Sequence, residues 1–138
     1  MTKKGSEIKK EFYFEGVGRR KTAVARVRVV KSATTAITVN GRTLGAYFPL
    51  KKHENIVLSP FKNLSLKGYK VTVNVSGGGV GTQAEAIRLG LARALTTMMP
   101  EVRSQLKALG YLTRDPRMVE RKKYGKRKAR RPQQWRKR

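Results

Sequence analysis

The chain has 138 residues, which suits one domain of ordinary size plus a tail. Its 33 Lys and Arg face only 8 Asp and Glu, for a formal net charge of +25, so compaction is opposed unless a polyanion supplies counter-charge. The absence of cysteine excludes disulfides, thiolate zinc sites and cysteine nucleophiles, and no apolar run approaches the roughly 18 residues of a membrane span.

Residues 1–10 are polar, mix Lys with Glu7, and lack the apolar centre of a signal peptide; they are expected to be a flexible N-terminus in a cytoplasmic protein. A globular domain is expected over 11–112. Glu11 to Gly18, with Phe12, Tyr13, Phe14 and Val17, reads as a first strand. Arg19-Arg20-Lys21 is a basic block at a predicted turn, where three cations can hold phosphates. Ala23 to Val30 alternates, with Ala25, Val27 and Val29 on one face and Arg26 and Arg28 on the other, as in a half-buried strand. Those outward arginines fit either solvated positions or nucleic-acid phosphate contacts.

Ile37 to Val39 is a short strand, and Asn40-Gly41 is a hairpin signal, although Thr43 to Phe48 makes a poor returning strand. Lys51 to Leu58 reads as a short helix stopped by Ser59-Pro60. Phe61, Leu64 and Leu66 are expected to pack on the core. Lys70 to Ser76 alternates clearly, with Val71, Val73 and Val75 sharing a face. Thr82 and Glu85 have capping-box spacing, so a helix is expected to begin there, with Ile87, Leu91, Ala94, Leu95 and Met98 as its stripe. Pro100-Glu101 suits the start of another helix, with Val102, Leu106 and Leu109 on its apolar face and Gly110 at its end. His53 reads as an ordinary surface residue.

The run Gly77-Gly78-Gly79-Val80-Gly81 lacks the Lys of a Walker A loop. A loose dinucleotide pattern through Gly79, Gly81 and Ala84 lacks its acidic partner at the end of a second strand. Two compatible readings stay open: a tight strand-to-helix turn needing positive φ, and backbone N–H groups of Gly78, Gly79 and Gly81 gripping a nucleic-acid phosphate.

From Arg114 to Arg138 thirteen residues are Lys or Arg, opposed only by Asp115 and Glu120. Such a segment, residues 113–138, cannot bury enough surface to offset its ordering entropy and is expected to be an extended basic tail that needs a polyanion. Fully extended it reaches on the order of 80 Å. It lacks the Leu and Phe of an interfacial membrane helix, so no membrane partner is expected. Nucleic acid is the leading partner, through Arg19, Arg20, Lys21, Arg26, Arg28, Arg114, Arg117, Arg121, Lys122, Lys123, Lys126, Arg127, Lys128, Arg130 and Arg131. Trp135 fits base or ribose stacking, or a protein contact. No metal site, cofactor or catalytic residue is expected: the acids are scattered, and phosphoryl transfer wants paired carboxylates. A sequence-indifferent DNA-compacting protein would use the same charge but would not need so long a folded domain.

Four blocks together resemble universal family nine of small-ribosomal-subunit proteins, in its bacterial form. They are Gly16-Val17-Gly18-Arg19-Arg20-Lys21-Thr22-Ala23-Val24-Ala25-Arg26-Val27; Ile37-Thr38-Val39-Asn40-Gly41-Arg42 with Tyr47-Phe48; Gly77-Gly78-Gly79 with Gln83-Ala84, Ala86-Ile87-Arg88 and Gly90; and Thr113-Arg114-Asp115-Pro116-Arg117, Glu120-Arg121-Lys122-Lys123, Gly125 and Lys128-Ala129-Arg130. The resemblance implies a two-layer α/β (α+β) domain, with helices on one face of a mostly antiparallel sheet and a left-handed βαβ crossover. It also implies a short helix after Asn40-Gly41, against the hairpin reading. Functionally it implies binding to ribosomal RNA in the small-subunit head beside neighbouring head proteins. The tail then runs to the peptidyl site, where Lys137 and Arg138 contact tRNA. The chain departs from the usual aromatic-Ser-Lys-Arg ending, having Trp135-Arg136-Lys137-Arg138, and Thr82 stands where a smaller residue is usual.

Overall fold

The computed structural model describes residues 12–136. The flexible N-terminus expected over 1–10, the start of the predicted first strand at Glu11, and Lys137 and Arg138, the expected tRNA contacts, lie outside the described residues. Strands β1 (Phe14–Arg20), β2 (Ala23–Lys31), β3 (Ala36–Val39), β4 (Arg42–Thr43) and β5 (Tyr69–Ser76) form one sheet in the order β1-β2-β5-β3-β4. β1–β2, β2–β5 and β3–β4 pair antiparallel, while β3 and β5 run parallel. The parallel pair needs a crossover, and it carries α1 (Leu44–Tyr47) and α2 (Lys51–Asn63). After β5 come α3 (Val80–Met98), a 3₁₀ turn at Pro100–Val102 and α4 (Arg103–Ala108). The result is the expected two-layer α+β domain.

The period-two pattern decides which face is covered. Ala23, Ala25, Val27, Val29, Val71, Val73 and Val75 are buried beneath the helices, whereas Arg26, Arg28, Lys70, Thr72 and Asn74 face outward. β1 runs two residues beyond its expected end, so Arg19 and Arg20 belong to the strand. The β1–β2 turn is Lys21-Thr22, with Lys21 at φ 49°. Asn40 and Gly41 have φ 48° and 77° and form the two-residue link expected of a hairpin, although β4 is only two residues long. The short helix implied by the resemblance follows directly as α1. Asn40 braces this corner: its side-chain amide donates to Val75 O and its Oδ1 accepts from Val75 N, both at 2.9 Å.

Three local expectations are corrected. α2 does not stop at Ser59-Pro60 but continues to Asn63. Pro60 lacks the N–H that the Ile56 carbonyl would accept, and Ser59 Oγ donates to that carbonyl instead at 2.7 Å. Tertiary burial of Pro60 and Phe61 holds the continuation in place. α3 begins at Val80 with Gly79 as N-cap, and the Thr82–Glu85 capping box does not form. Thr82 Oγ1 donates back to Gly79 O at 2.7 Å, and Glu85 is drawn to Arg20. Finally, Leu109 is 45 % exposed rather than part of the apolar face. α4 ends at Ala108, and its end is closed by Gly110 N donating to Lys107 O and Tyr111 N to Leu106 O. Leu106 alone is fully buried there.

α3 is buried on more than the expected stripe. Ala84, Ala86, Ile87, Gly90, Leu91, Ala92, Ala94 and Leu95 are all inaccessible because the helix lies against the sheet and also packs on α2. Against β1 the approach is backbone to backbone. A Cβ on Gly18 would overlap the Ala86 carbonyl oxygen and come 2.5 Å from Gly90 N, and one on Gly16 would come 2.6 Å from Ala94 N. Gly18→Ala is therefore expected to destabilise the fold by about 3 kcal/mol, because the atoms it meets are backbone. Gly45→Ala, where an added Cβ meets nothing within 4 Å, is expected to be neutral or slightly stabilising. Urea midpoints of the two variants against the parent chain check this.

Candidate nucleic-acid interface

Strand geometry separates the neighbouring arginines of the Arg19-Arg20-Lys21 block. Gly16, Gly18 and Arg20 share the inward side of β1, so the Arg20 side chain turns toward α3 while Arg19 points out to solvent. Because Gly18 brings β1 down onto Ala86, the guanidinium of Arg20 arrives beside Glu85. Its Nε donates to Glu85 Oε2 at 2.6 Å, a second nitrogen lies 3.2 Å from Asp115 Oδ2, and the third donates to the Arg117 carbonyl at 3.0 Å. The side chain is only 14 % exposed. Arg20 thus binds the first residues of the tail to the domain and has no nitrogen left without a partner.

Asp115 is the other half of this bracket. It accepts from the Arg117 backbone N–H at 3.0 Å and from the Arg117 guanidinium at 2.8 and 3.1 Å. The Arg117 side-chain and backbone hydrogen bonds, with the charges of Arg117 and Arg20, hold the Asp115 carboxyl well below its ordinary value of 3.8. The same pairing raises Arg117.

The open face of the sheet carries the other predicted cations. Glu15 lies opposite Arg28 in the β1–β2 ladder and is shared, 3.5 Å from Arg28 and 3.2 Å from Arg26. Arg28 also sits over the Tyr13 ring, 4.7 Å from its centroid. One acid between two arginines leaves this face positive, and exposed Arg19 and Lys21 extend the charge to its end.

At the glycine turn, Gly77 and Gly78 have φ 72° and 67°, conformations that favour glycine. Gln83 clamps the turn: its Nε2 donates to Gly77 O at 3.1 Å and its Oε1 accepts from Tyr47 OH at 2.8 Å. The N-terminus of α3 has no side-chain cap, so its first N–H groups, Gly81 among them, have no acceptor within the helix. His53 differs from its surface expectation. It is half-buried beside Phe48 and near Gly81, and its Nδ1 is buried without a hydrogen-bond partner among the described residues.

From Thr113 to Arg136 there is no helix or strand, apart from a single bridge between Lys126 and Pro132. Arg127 N donates to Arg131 O at 2.9 Å, and Glu120 pairs with Lys123 and, at 3.0 Å, with Arg130, so the chain doubles into a small loop. Arg114, Arg121, Lys122, Lys126, Arg127, Lys128 and Arg131 are exposed, and Trp135 is 86 % exposed.

The family of ribosomal protein S9/S16 matches residues 18–138. This chain belongs to that family. Small ribosomal subunit protein uS9 of Paenarthrobacter aurescens is 53 % identical over 124 residues, covering 88 % of this chain and 73 % of the relative. The protein of the same name from Lawsonia intracellularis is 52 % identical over 122 residues, covering 88 % and 93 %. That from Mycolicibacterium paratuberculosis is 50 % identical over 123 residues, covering 88 % and 74 %. The chain is a bacterial-type member, and the family comprises structural proteins of the ribosome rather than enzymes. Among the described residues no helix is long and apolar enough to cross a membrane.

Sequence reasoning missed Glu85 as the ion-pair partner of Arg20, and Arg88 and Arg93 as cations beside β1 in this family member. Arg93 donates to Val17 O at 2.7 Å and so covers a carbonyl of the edge strand. Glu85, Arg88 and Leu89 have the i, i+3, i+4 spacing of one helix face, a signal that was present but not usable before Arg20 was placed opposite it.

Arg20→Ala is expected to cost about 2 kcal/mol, because two carboxylates lose their charged donor, and to release amides 113–117 to faster hydrogen exchange. Arg26→Ala, on the open face, is expected to cost less than about 0.5 kcal/mol. The lowered Asp115 carboxyl gives the bracket a defined pH response. Its stabilisation is fully present above the ordinary carboxylate value and is lost only as pH falls through the lowered one. Carboxyl-carbon NMR titration from pH 7 to 4 is therefore expected to leave Asp115 ionised, its resonance unmoved across the range.

Proposed function

We propose that this chain is a structural constituent of the small ribosomal subunit that binds ribosomal RNA in the subunit head and sends its basic tail to tRNA in the peptidyl site. Family membership sets the coarse role: a ribosomal component, working in the cytoplasm with ribosomal RNA. The observation that carries the finer reading is the segment Arg114 to Arg136. It is tied to the domain at Asp115 and Arg117, and its remaining cations, half-buried Lys123 apart, are open to solvent with only Glu120 among them.

In this reading the domain anchors and the tail delivers. Arg19, Lys21, Arg26 and Arg28 meet RNA phosphates at the domain, and backbone N–H groups of Gly78, Gly79 and Gly81 donate to one more at the α3 N-terminus. Arg114, Arg117, Arg121, Lys122, Lys123, Lys126, Arg127, Lys128, Arg130 and Arg131 supply affinity through counterion release. Specificity comes from the shape of folded RNA rather than from base sequence. Arg20 serves RNA binding by holding the tail root. Trp135 stacks on a base or ribose, and Lys137 and Arg138 meet the phosphates of the tRNA anticodon arm. Neighbouring head proteins complete the surroundings.

Crosslinking in growing cells, followed by sequencing of the RNA attached to residues 114–138, tests this. Small-subunit ribosomal RNA is expected along the segment, with tRNA at its last residues. Ribosomal RNA without tRNA would remove the peptidyl-site role, and unselective RNA would remove both. Deleting Lys137-Arg138 is expected to leave subunit assembly intact and to speed tRNA dissociation from the peptidyl site several-fold. An unchanged dissociation rate would count against the tip contact.

A further inference from the structure

The bracket at the tail root leaves two arginines unused. A cavity of about 230 Å³ opens between the end of β1, α3 and the chain leaving α4, with Arg19, Arg20, Arg88, Tyr111, Thr113 and Arg117 in its lining. Four guanidinium groups line it against two carboxylates, Glu85 and Asp115. Both carboxylates are committed, Glu85 to Arg20 and Asp115 to Arg20 and Arg117.

Arg19 and Arg88 form no ion pair among the described residues. Arg88 is the more telling. Its guanidinium lies over the Tyr111 ring, 5.1 Å from the centroid, and its Nε is buried with no hydrogen-bond partner among the described residues. A buried cationic N–H without an acceptor is costly, and Tyr111 offers only a π-face. The cavity holds the volume of several waters at about 30 Å³ each, enough for a tetrahedral oxyanion. The planar fork of Arg suits such an anion by paired hydrogen bonds.

We propose that this cavity is a socket for one phosphodiester of the bound RNA strand, held by Arg88 and Arg19 with the Thr113 hydroxyl in the lining. The inference rests on the RNA-binding reading above and adds a single addressed phosphate to it. Most tail cations can slide along a polyanion, since they are exposed and lie outside any helix or strand. Arg88 cannot, because its stem is fixed in the middle of α3. A phosphate seated there fixes the RNA relative to the point where the tail departs, so it sets the tail's register.

Phosphate-ethylation interference on small-subunit ribosomal RNA, with the full chain, tests the socket. In the parent chain one ethylated phosphate near the crosslink to residues 113–117 is expected to block binding. In Arg88→Gln that single interference is expected to vanish, with the others kept, overall affinity reduced about tenfold or more, and the log–log salt slope reduced by about one. Arg19→Gln, at an exposed strand position, is expected to weaken the same interference, and it decides the matter if Arg88→Gln fails to fold. Identical interference patterns in the parent chain and both variants would overturn the socket while leaving RNA binding intact. If inorganic phosphate alone shifts the Arg88 Nε–H resonance and the patterns are identical, the cavity takes a free anion and the RNA assignment falls. Absence of selective RNA binding by the parent chain would overturn the underlying reading, and the socket with it.

Discussion

The contact on which the rest of this structure depends is the backbone-to-backbone seat of β1 on α3. Gly16 and Gly18 present no side chain to the helix, and Gly90 presents none to the strand, where an added Cβ would come 3.0 Å from Gly18 N and 3.2 Å from Gly16 O. The edge strand and the long helix therefore lie closer than side chains would allow. Two consequences follow from that distance. The buried face of β2 packs beneath α3 with small and β-branched residues only. And the residue two positions after Gly18 on the same strand face, Arg20, is placed beside the residue one position before Ala86, which is Glu85.

That placement converts a packing feature into an electrostatic one. Arg20 reaches across the end of the helix and binds the tail root through Asp115 and the Arg117 carbonyl. A segment with little apolar surface is thereby ordered at one end, by three charged or carbonyl acceptors around one planar donor. A lysine has donors enough but not the fork geometry, so its replacement of Arg20 would not be conservative.

Four of the eight acids of a chain at +25 sit where cations meet. Glu15 sits between Arg26 and Arg28, Glu85 and Asp115 surround Arg20, and Glu120 joins Lys123 to Arg130. Each orients cations at a junction, whether strand pair, tail root or tail loop, and leaves most positive charge facing solvent. Such an arrangement preserves the long-range attraction to a polyanion while fixing where the chain enters and leaves the domain.

Much of this was legible in the sequence. Alternation identified β2 and β5 and their buried faces, because a strand's side-chain period is two whatever it packs against. Four motif blocks in order identified the family, with its parallel crossover. Tertiary structure alone decided where α2 ended, since burial of Pro60 and Phe61 and the Ser59 bond to Ile56 O outweigh the local stop signal. It alone separated Arg19 from Arg20, whose roles depend on which side of β1 faces α3. It also took Glu85 out of its expected capping box, because a guanidinium 65 residues away in sequence is a stronger partner than a backbone N–H three residues back. Local pattern records the preferences of near neighbours; competition among partners for one charged group is settled only when distant segments meet.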